Sequence, residues 1–427
     1  MAEKADVLIL GAGSLGKAYA AKTASLGYQV NLYNRSLERT SDLEEDSELI
    51  IAFDPNIEGK LYPKTDKRIN FKPVKERERL KMLKSEGLKG GVVELNKISS
   101  GKYIEEAFEG DPDIIMVTTT ARGHKHMARK IVPYLRDDQT VLLNPGRMLG
   151  ALEFRNEVER HYKNGKVPKV IIGEADTSLF ACRVDEIHDP KTVKIHGVKN
   201  RINFATIPSK DAEKIIGPVK KIFRQFNCYL DDGRVMNVLH TSLGNVGGVF
   251  HVPIMILNAK DISDGKVLKF YVEGLNPTLS GLLEEVDDER IELANKLRIH
   301  VEPAIMWLER EYGSEGATLH EAFKNTDAYA NLFAPTSINV RQLTEEVPCS
   351  LVPMVELAKK AGTEYATTGA FIQIAHVLIR RGRKRDIFKK ARTMKSLGLE
   401  KLNIKGIKKY LITGEYPTDE RFLDLEI

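Results

Sequence analysis

Three glycines near the start of the chain have the spacing G-x-G-x-x-G and directly follow an apolar run, residues 7–10. They are Gly11, Gly13 and Gly16. In a strand–turn–helix unit the first glycine permits the tight turn, the second lets the backbone approach a pyrophosphate, and the third lets the helix pack against the strand. The amides that open the helix, from Ser14 onward, then face the phosphate together with the helix dipole. The pattern predicts a dinucleotide site, with an ordinary glycine turn of an α/β sheet as the alternative.

The next predicted strand, residues 30–33, ends in Asn34, Arg35 and Ser36 instead of an acidic residue. An acidic side chain there accepts hydrogen bonds from the ribose of NAD and repels a 2′-phosphate. The planar guanidinium of Arg35 can pair with that phosphate, and the hydroxyl of Ser36 can donate to it. We therefore expect NADP(H) to be preferred, with NAD(H) possible and a solvated loop arginine as the alternative. The residues predicted to hold the cofactor are Gly11, Gly13, Ser14, Leu15, Gly16, Asn34, Arg35, Ser36 and Thr118, the last of which ends another predicted strand.

Two polar residues in the second half of the chain could also do chemistry. Asn245 and His251 lie within an otherwise apolar, glycine-bearing helical stretch, residues 238–259, and Pro253 follows them. A buried polar group costs several kcal/mol unless it is hydrogen-bonded. We therefore expect both side chains to face a cleft or each other. A catalytic histidine and a satisfied core histidine both remain open at this point.

The elements that position these residues change character along the chain. The first half alternates short apolar strands with helices, which is typical of a doubly wound parallel sheet of the Rossmann type. Residues 54–90 interrupt it with a polar, Lys- and Glu-rich stretch that we interpret as a surface insertion. From Ser209 onward the pattern becomes long amphipathic helices. The sequence predicts a Rossmann domain over 1–200 and a mainly α-helical domain over 201–427.

Composition limits the function classes. The chain has 427 residues, 42% of them hydrophobic, and a net charge of +5. Its three cysteines are far apart, which favours neither a disulfide framework nor a metal site. No segment is typical of a membrane span or a signal peptide, so we expect a cytoplasmic protein without a membrane partner. The basic run 380–385 lacks interleaved aromatic residues and is interpreted as a solvated helix end, so no nucleic acid is expected.

Several longer segments agree in order with one enzyme family. The chain resembles an opine dehydrogenase of the octopine/nopaline dehydrogenase family. The resemblance rests on GAGSLG (11–16), LLNPGRMLGALEF (142–154), EADTSLFACR (174–183), NVGGVFHVP (245–253), YVEGLNPTLSGLLEEVDDER (271–290) and NVRQLTEEVPCSLVPMVELAKKAG (339–362). It implies a Rossmann domain followed by a helical domain similar to that of 6-phosphogluconate dehydrogenase. It also implies the joining of an amino acid to an α-keto acid and reduction of the resulting imine by NAD(P)H.

The resemblance also implies roles for particular residues. It makes His251 the catalytic acid and base and Asn245 a neighbouring polar contact. The family's Thr-Glu-Asp-Val-Pro element, which supplies an acidic partner to the histidine, is Thr-Glu-Glu-Val-Pro here, so Glu346 takes the Asp position. Substrate carboxylates need cations, and Arg147 in the turn Asn-Pro-Gly-Arg is the first candidate. Weaker candidates are Arg122, Arg183 and Arg341.

Two other functions compete with this interpretation. A relative of ketopantoate or hydroxyacid reductases would reduce a simple carbonyl, but such enzymes depend on a lysine for which the sequence offers no comparable pattern. A non-catalytic NADP-binding sensor would bind the cofactor without turnover and tolerate the loss of His251. The expected partners are a small amino acid and an α-keto acid, and a homodimer is possible.

Overall fold

The strands of the chain form two sheets. The computed structural model describes residues 6–44, 46–63, 66–162, 167–185, 189–380 and 388–424. Most of the predicted basic run, residues 381–385, lies outside these ranges. The strands are β1 (Val7–Leu10), β2 (Val30–Asn34), β3 (Glu48–Phe53), β4 (Lys89–Glu94), β5 (Lys97–Ser100), β6 (Ile114–Val117), β7 (Thr140–Leu143), β8 (Ile171–Ala175), β9 (Phe180–Asp185), β10 (Asp189–Val198), β11 (Ile202–Ile207) and β12 (Phe226–Asn227).

The main sheet has the order β12-β11-β8-β7-β6-β1-β2-β5. Every pairing from β8 to β5 is parallel, and β11 adds to β8 in the antiparallel direction. Strand β1 is buried on both faces, as its unbroken apolar sequence requires. The order reverses between β1 and β6, and a crevice at the carboxyl ends of the strands at such a point is where ligands bind in doubly wound sheets. The predicted Rossmann architecture is confirmed.

The helices, with their bounds, are α1 (Ser14–Ala24), α2 (Ser41–Glu44), α3 (Glu58–Leu61), α4 (Arg77–Ser85), α5 (His124–Ile131), α6 (Gly150–His161), α7 (Ala212–Ile222), α8 (Val238–Leu243), α9 (Gly247–Leu257), α10 (Ala259–Ser263), α11 (Pro277–Lys296), α12 (Ala304–Tyr312), α13 (Leu319–Lys324), α14 (Arg341–Thr344), α15 (Val352–Ala361), α16 (Ala366–Arg380) and α17 (Ile404–Thr413). A π-helical turn, residues 347–351, joins α14 to α15. In the part of the chain that the structure describes, no helix is both long and apolar enough to cross a bilayer.

The polar stretch 54–90 lies between two strands that pair with each other. β3 and β4 form an antiparallel hairpin, β3 also pairs with β10, and β10 pairs with β9. This four-stranded sheet, which the sequence analysis did not predict, packs against α1. The insertion therefore extends a hairpin of a second sheet that covers the helix following the glycines.

The sheet region ends later than the sequence suggested. The boundary predicted at residue 200 falls before β11 and β12, which both belong to the main sheet. The helical region follows with α8, and one apolar core joins the two regions by combining sheet residues such as Leu143 with helical residues such as Leu239 and Leu357. This shared core fixes the position of the helical region against the carboxyl edge of the sheet.

The helical stretch predicted over 238–259 is broken into α8, α9 and α10. The break after α8 has a local cause, because Oδ1 of Asn245 accepts a hydrogen bond from the amide of Gly247, 3.1 Å away. Such a side chain competes with the helical hydrogen bonds of the backbone. Asn245 is buried at this break, and His251 lies one turn after the first residue of α9, Gly247.

Candidate active site

The glycine loop joins β1 to α1, and the backbone itself requires glycine at two of its three positions, Gly11 and Gly16. Gly11 has φ +117°, in the left-handed region that side chains avoid. A Cβ at Gly16 would lie 1.7 Å from the carbonyl oxygen of Gly11, so the helix could not pack this close with any other residue. Thr118 closes the loop, since its Oγ1 donates to the carbonyl oxygen of Gly11 over 2.9 Å. The loop is thus tied to the end of β6 across the crevice.

The end of β2 is linked to the same loop. Oδ1 of Asn34 accepts from the amide of Ala12 over 3.1 Å, and its Nδ2 donates to the carbonyl oxygen of Ser36 over 2.8 Å. Arg35 is exposed, and its charge contributes to lowering the pKa of His126, after the larger effect of burial. The guanidinium of Arg39 lies close to the loop: a Cβ built on Gly13 would be 2.8 Å from its Nη1.

These contacts fit a dinucleotide. A side chain at Gly13 would enter the cradle, the amides of α1 open beside it, and the exposed guanidinium of Arg39 lies next to it. Two predicted cofactor residues also have structural contacts. Oγ of Ser14 accepts from the amide of Val184 in β9 over 3.1 Å, and Leu15 packs on the core beneath α1.

His251 lies between a carboxylate and a phenol. Its Nδ1 is 2.8 Å from Oε1 of Glu346, and its Nε2 is 3.0 Å from the hydroxyl of Tyr271. The other oxygen of Glu346 accepts from Oγ of Ser350 over 3.0 Å. Because an ionised carboxylate only accepts hydrogen bonds, Nδ1 carries the proton and Nε2 has the free electron pair. The His251 side chain is 20% exposed and that of Glu346 only 1%, so the pair meets solvent through the imidazole.

Arg147 binds this pair from the sheet side. Its Nη2 lies 2.8 Å from Oε1 of Glu346, its Nε lies 3.3 Å from Oε1 of Glu345, and its Nη1 donates to Oδ1 of Asn245 over 3.1 Å. The residue is 7% exposed. Gly247 makes the approach possible, since a Cβ there would lie 2.5 Å from Nη1 of Arg147. One buried guanidinium thus holds two adjacent carboxylates and an amide.

The charge of Arg147 sets the ionisation of this cluster. Burial alone raises the pKa of Glu346, but the guanidinium of Arg147 and the hydrogen bond from His251 outweigh it and hold the pKa below its ordinary value. Burial acts against the charge of Arg147 as well, and Glu346 and Glu345 reverse that effect, so its pKa is raised. Glu346 is therefore an anion that contacts both a permanent cation and the imidazole of His251.

A strained turn positions Arg147. The residue has φ +62° and follows β7 directly at the carboxyl edge of the sheet. The buried guanidinium of Arg392 holds the turn by donating from Nη1 to the carbonyl oxygens of Gly146 and Met148, over 2.8 and 3.0 Å. Its Nη2 also contacts Nδ1 of the buried His124, 3.1 Å away. Arg392 comes from the far C-terminal region and connects it to the centre of the site.

Glu345 links the cluster around Arg147 to the end of β6, beside the glycine loop. The amide of Ala121, just beyond Thr118 at the end of β6, donates to Oε1 of Glu345 over 3.1 Å. Thr118 itself contacts the glycine loop, so one short segment links the two parts of the site. Within the described residues, His, Cys, Asp and Glu side chains form no group that could hold a metal ion.

The structure brings His251, Glu346, Asn245 and Arg147 into one hydrogen-bonded cluster. Sequence reasoning missed four residues that belong to it or to the cofactor crevice: Arg39, Tyr271, Glu345 and Arg392. Arg39 is four residues beyond Arg35, and the sequence pattern covered only the residues that directly follow β2. Tyr271 and Glu345 lie inside the segments used for the resemblance, but the sequence contains no local signal of their contacts. Arg392 lies outside those segments altogether.

Comparison with known proteins gives the family. Residues 234–379 match the family described as NAD/NADP octopine/nopaline dehydrogenase, alpha-helical domain. An opine dehydrogenase of Arthrobacter sp. (strain 1C) is 30% identical over 96% of this chain and 99% of its own length. A vitopine synthase of Allorhizobium ampelinum is 24% identical over 68% of this chain and 75% of its own.

Solved structures agree at the level of the fold. An octopine dehydrogenase in complex with NADH and agmatine has a TM-score of 0.68 and 17% identity, covering 97% of this chain and 100% of its own. A yersinopine dehydrogenase bound to NADP⁺ has a TM-score of 0.68 and 14% identity, covering 93% and 98%.

A Rossmann sheet with a glycine loop at its switch point, a histidine–carboxylate pair in the helical region and these relatives define an NAD(P)-dependent oxidoreductase. More narrowly, the chain belongs to the opine dehydrogenases of the NAD/NADP octopine/nopaline dehydrogenase family. The resemblance predicted from the sequence is confirmed.

Proposed function

We propose that the protein condenses the amine of an amino acid with the carbonyl of an α-keto acid and reduces the imine with NADPH. His251 is the general acid and base, and Glu346 orients it. The observation that carries this proposal is the 2.8 Å contact between Nδ1 of His251 and Oε1 of Glu346, at the rim where Ala121 ties Glu345 to the end of β6. A positioned acid or base of this kind contributes roughly 10²–10⁴-fold in rate.

The cofactor supplies the hydride, and the chain supplies its position. Gly11, Gly13 and Gly16 form the cradle for the pyrophosphate, with amides of Ser14 and Leu15 at the helix start. Arg35 pairs with the 2′-phosphate and Ser36 donates to it, which makes NADP(H) the preferred cofactor. Asn34 and Thr118 hold the loop in shape through their contacts with Ala12 and Gly11.

Arg147 and Asn245 serve the substrate indirectly. Every guanidinium nitrogen of Arg147 already has a partner, and so do both ends of the Asn245 amide, whose Nδ2 donates to the carbonyl oxygen of Asp176. We therefore assign Arg147 to neutralising Glu345 and Glu346 instead of binding a substrate carboxylate. Asn245 fixes the guanidinium from the opposite side.

Arg341 is the cation we assign to the carboxylate of the keto acid. It is exposed at the first position of α14, the helix that leads directly to Glu345 and Glu346, and it makes no ion pair within the described residues. Its charge acts to lower the pKa of both Tyr271, the phenol that contacts His251, and Cys182, so its electrostatic influence reaches this part of the site. A planar guanidinium suits bidentate binding of a carboxylate.

A substrate screen tests this function. NADPH and NADH oxidation is followed with pyruvate, glyoxylate and 2-oxoglutarate, each alone and with a panel of amino acids, and products are identified by mass spectrometry. We expect oxidation that requires both substrates, is faster with NADPH, and yields a secondary amine carrying both carboxylates. Oxidation by a keto acid alone, unaffected by every amino acid, favours a hydroxyacid-reductase-like enzyme. Tight cofactor binding without turnover contradicts an enzymatic role.

A further inference from the structure

The proton chemistry assigned to His251 has to pass through one ring nitrogen. Nδ1 is 2.8 Å from Glu346, a carboxylate kept ionised by Arg147. Nε2 is the remaining nitrogen, and the hydroxyl of Tyr271 lies 3.0 Å from it. Because Nε2 has the free electron pair in this tautomer, the phenol donates to it. A substrate that approaches along that electron pair meets the hydroxyl of Tyr271 first.

The phenol is held too firmly to move aside at low cost. Its ring stacks on Tyr329, with centroids 4.2 Å apart and planes at 17°, and on Phe323, at 5.2 Å and 19°. Phe270 packs against it edge-on at 4.9 Å. Tyr271 is 7% exposed. Displacing it would break an aromatic cluster in the core of the helical region, whose stacked and edge-on pairs stabilise the fold beyond their buried area.

The phenol also experiences the charge of Arg341, the cation assigned to the keto acid. Burial raises the pKa of Tyr271 well above its ordinary value, Tyr329 adds to this, and the charge of Arg341 opposes it. The residue is therefore a neutral phenol, able to donate and accept at once. In an α-keto acid the carbonyl carbon is bonded directly to the carboxylate carbon. A keto acid whose carboxylate binds Arg341 can therefore direct its carbonyl oxygen toward Tyr271.

We propose that Tyr271 is a further catalytic residue, whose hydroxyl passes the proton between Nε2 of His251 and the carbonyl oxygen of the keto acid. The proposal rests on the function proposed above. When His251 is protonated, Nε2–H donates to the phenol oxygen, and the phenol O–H is free to donate to the substrate. Glu346, with Arg147 bound to it, is the charged group on the Nδ1 side of the imidazole during this exchange, and Arg341 is the charge that acts on the phenol.

The step balances without a further reactant. The amine nitrogen bonds to the carbonyl carbon, and the π electron pair of the C=O bond moves to the oxygen. That oxygen takes the phenol proton while the phenol takes the proton of Nε2. The extra proton on the nitrogen returns to His251 by the reverse path. The same path then protonates the hydroxyl group, which leaves as water while the nitrogen lone pair forms the C=N bond.

The test replaces the hydroxyl and then tunes its acidity. With the wild type's best substrate pair, we expect Tyr271→Phe to lower kcat about 10²-fold with an unchanged Kd for NADPH and unchanged thermal stability. Fluorotyrosines at position 271, which are more acidic, are expected to change kcat in step with phenol acidity and to shift the pH profile of kcat to lower pH. The matched control is Tyr329→Phe, which removes a hydroxyl from the same stack without a contact to His251 and is expected to keep kcat.

The outcomes separate the two proposals. An active wild type with a Tyr271→Phe kcat within about threefold of its own, or with no response to fluorination, contradicts the relay and leaves the condensation function intact. A wild type inactive with every pair contradicts the proposed function. In that event ¹⁵N NMR of His251 decides the relay. A protonated Nδ1, together with an Nε2 signal that shifts in Tyr271→Phe, supports it, and an unprotonated Nδ1 or an unshifted Nε2 overturns it.

Discussion

The cofactor loop and the imidazole–carboxylate cluster differ in how their charges are paired. The loop and the end of β2 come from a single stretch, residues 11–39, and their cations Arg35 and Arg39 stand exposed without ion pairs in the described part of the chain. The cluster is assembled from three remote segments, is buried, and already pairs the carboxylates of Glu345 and Glu346 with the guanidinium of Arg147. The arginines of the loop are therefore available to pair with an anionic ligand, whereas the carboxylates of the cluster are already paired with Arg147.

This difference predicts which substitutions affect binding and which affect chemistry or folding. Removing a cation from the loop affects affinity for a phosphate and little else, because no protein group depends on it. Removing a member of the cluster leaves a buried charge or a misplaced ring, with consequences for the reaction or for stability.

The largest expected effect is on turnover. His251→Asn removes the proton-exchanging group and is expected to lower kcat by roughly 10²–10⁴-fold, while the Kd for NADPH stays unchanged because the loop is untouched. Steady-state kinetics and fluorescence titration measure the two quantities. His320→Asn, a histidine of the same region without a contact to the cluster, is the control. Full activity of His251→Asn would mean that the cluster is structural.

The next effect is on stability. Arg147→Met leaves Glu345 and Glu346 buried without their cation and is expected to cost about 3–5 kcal/mol in the free energy of unfolding. Arg35→Met, in the loop, is expected to cost almost nothing, which makes it the matched control. Adding Glu345→Gln to Arg147→Met restores part of the loss. Urea unfolding of the wild type, the two arginine variants and the double variant gives these values. Equal stability of Arg147→Met and Arg35→Met would contradict the role of Arg147 as a buried counterion.

A smaller effect separates the two loop arginines. Arg35→Ala is expected to weaken NADPH binding about tenfold, in the range of a charge-assisted hydrogen bond at the surface, and to leave NADH binding unchanged. Arg39→Ala, which removes a cation from above the pyrophosphate cradle, is expected to weaken both cofactors by similar factors. Isothermal titration with both dinucleotides measures this. An unchanged preference for NADPH in Arg35→Ala contradicts the assignment of Arg35 to the 2′-phosphate.

The smallest effect is an acid sensitivity confined to the cluster. The pKa of Glu346 is depressed in the folded protein, so its ionised form stabilises the fold above the ordinary value of about 4.5. This contribution is lost as pH falls below 4.5 through the folded pKa. Glu346→Gln is expected to flatten the fall of stability with pH in that window, measured by urea unfolding at a series of pH values. An unchanged slope would show that Glu346 is not held ionised by Arg147.

The same contrast explains what the sequence could predict. The glycine loop and its cations are local, since strand, turn, helix and second strand follow one another within about one supersecondary unit. Spacing alone therefore indicated a dinucleotide site, whereas the preference for NADP(H), inferred from Arg35 and Ser36, stays a prediction. His251 could be selected as a polar residue in an apolar helix, but its carboxylate lies 95 residues further along. Only the resemblance to a family supplied Glu346.

Other features depend on contacts that no local pattern encodes. Arg147 can act as a buried counterion because Gly247, a residue remote in sequence, leaves room for its guanidinium. The second sheet follows from the pairing of β3 with β10 across more than a hundred residues. The contact of Tyr271 with Nε2 depends on an aromatic stack built from three helical-region segments. Each is a product of tertiary packing, which periodicity and composition do not specify.

The most direct test is a crystal structure of the enzyme with NADP⁺ and its secondary-amine product. We predict that C4 of the nicotinamide faces the carbon beside the product nitrogen, and that the imidazole of His251 or the hydroxyl of Tyr271 lies within hydrogen-bonding distance of that reacting centre. A product bound in the crevice with both groups beyond hydrogen-bonding reach, and with another acid or base beside the nitrogen, would contradict the role given to His251.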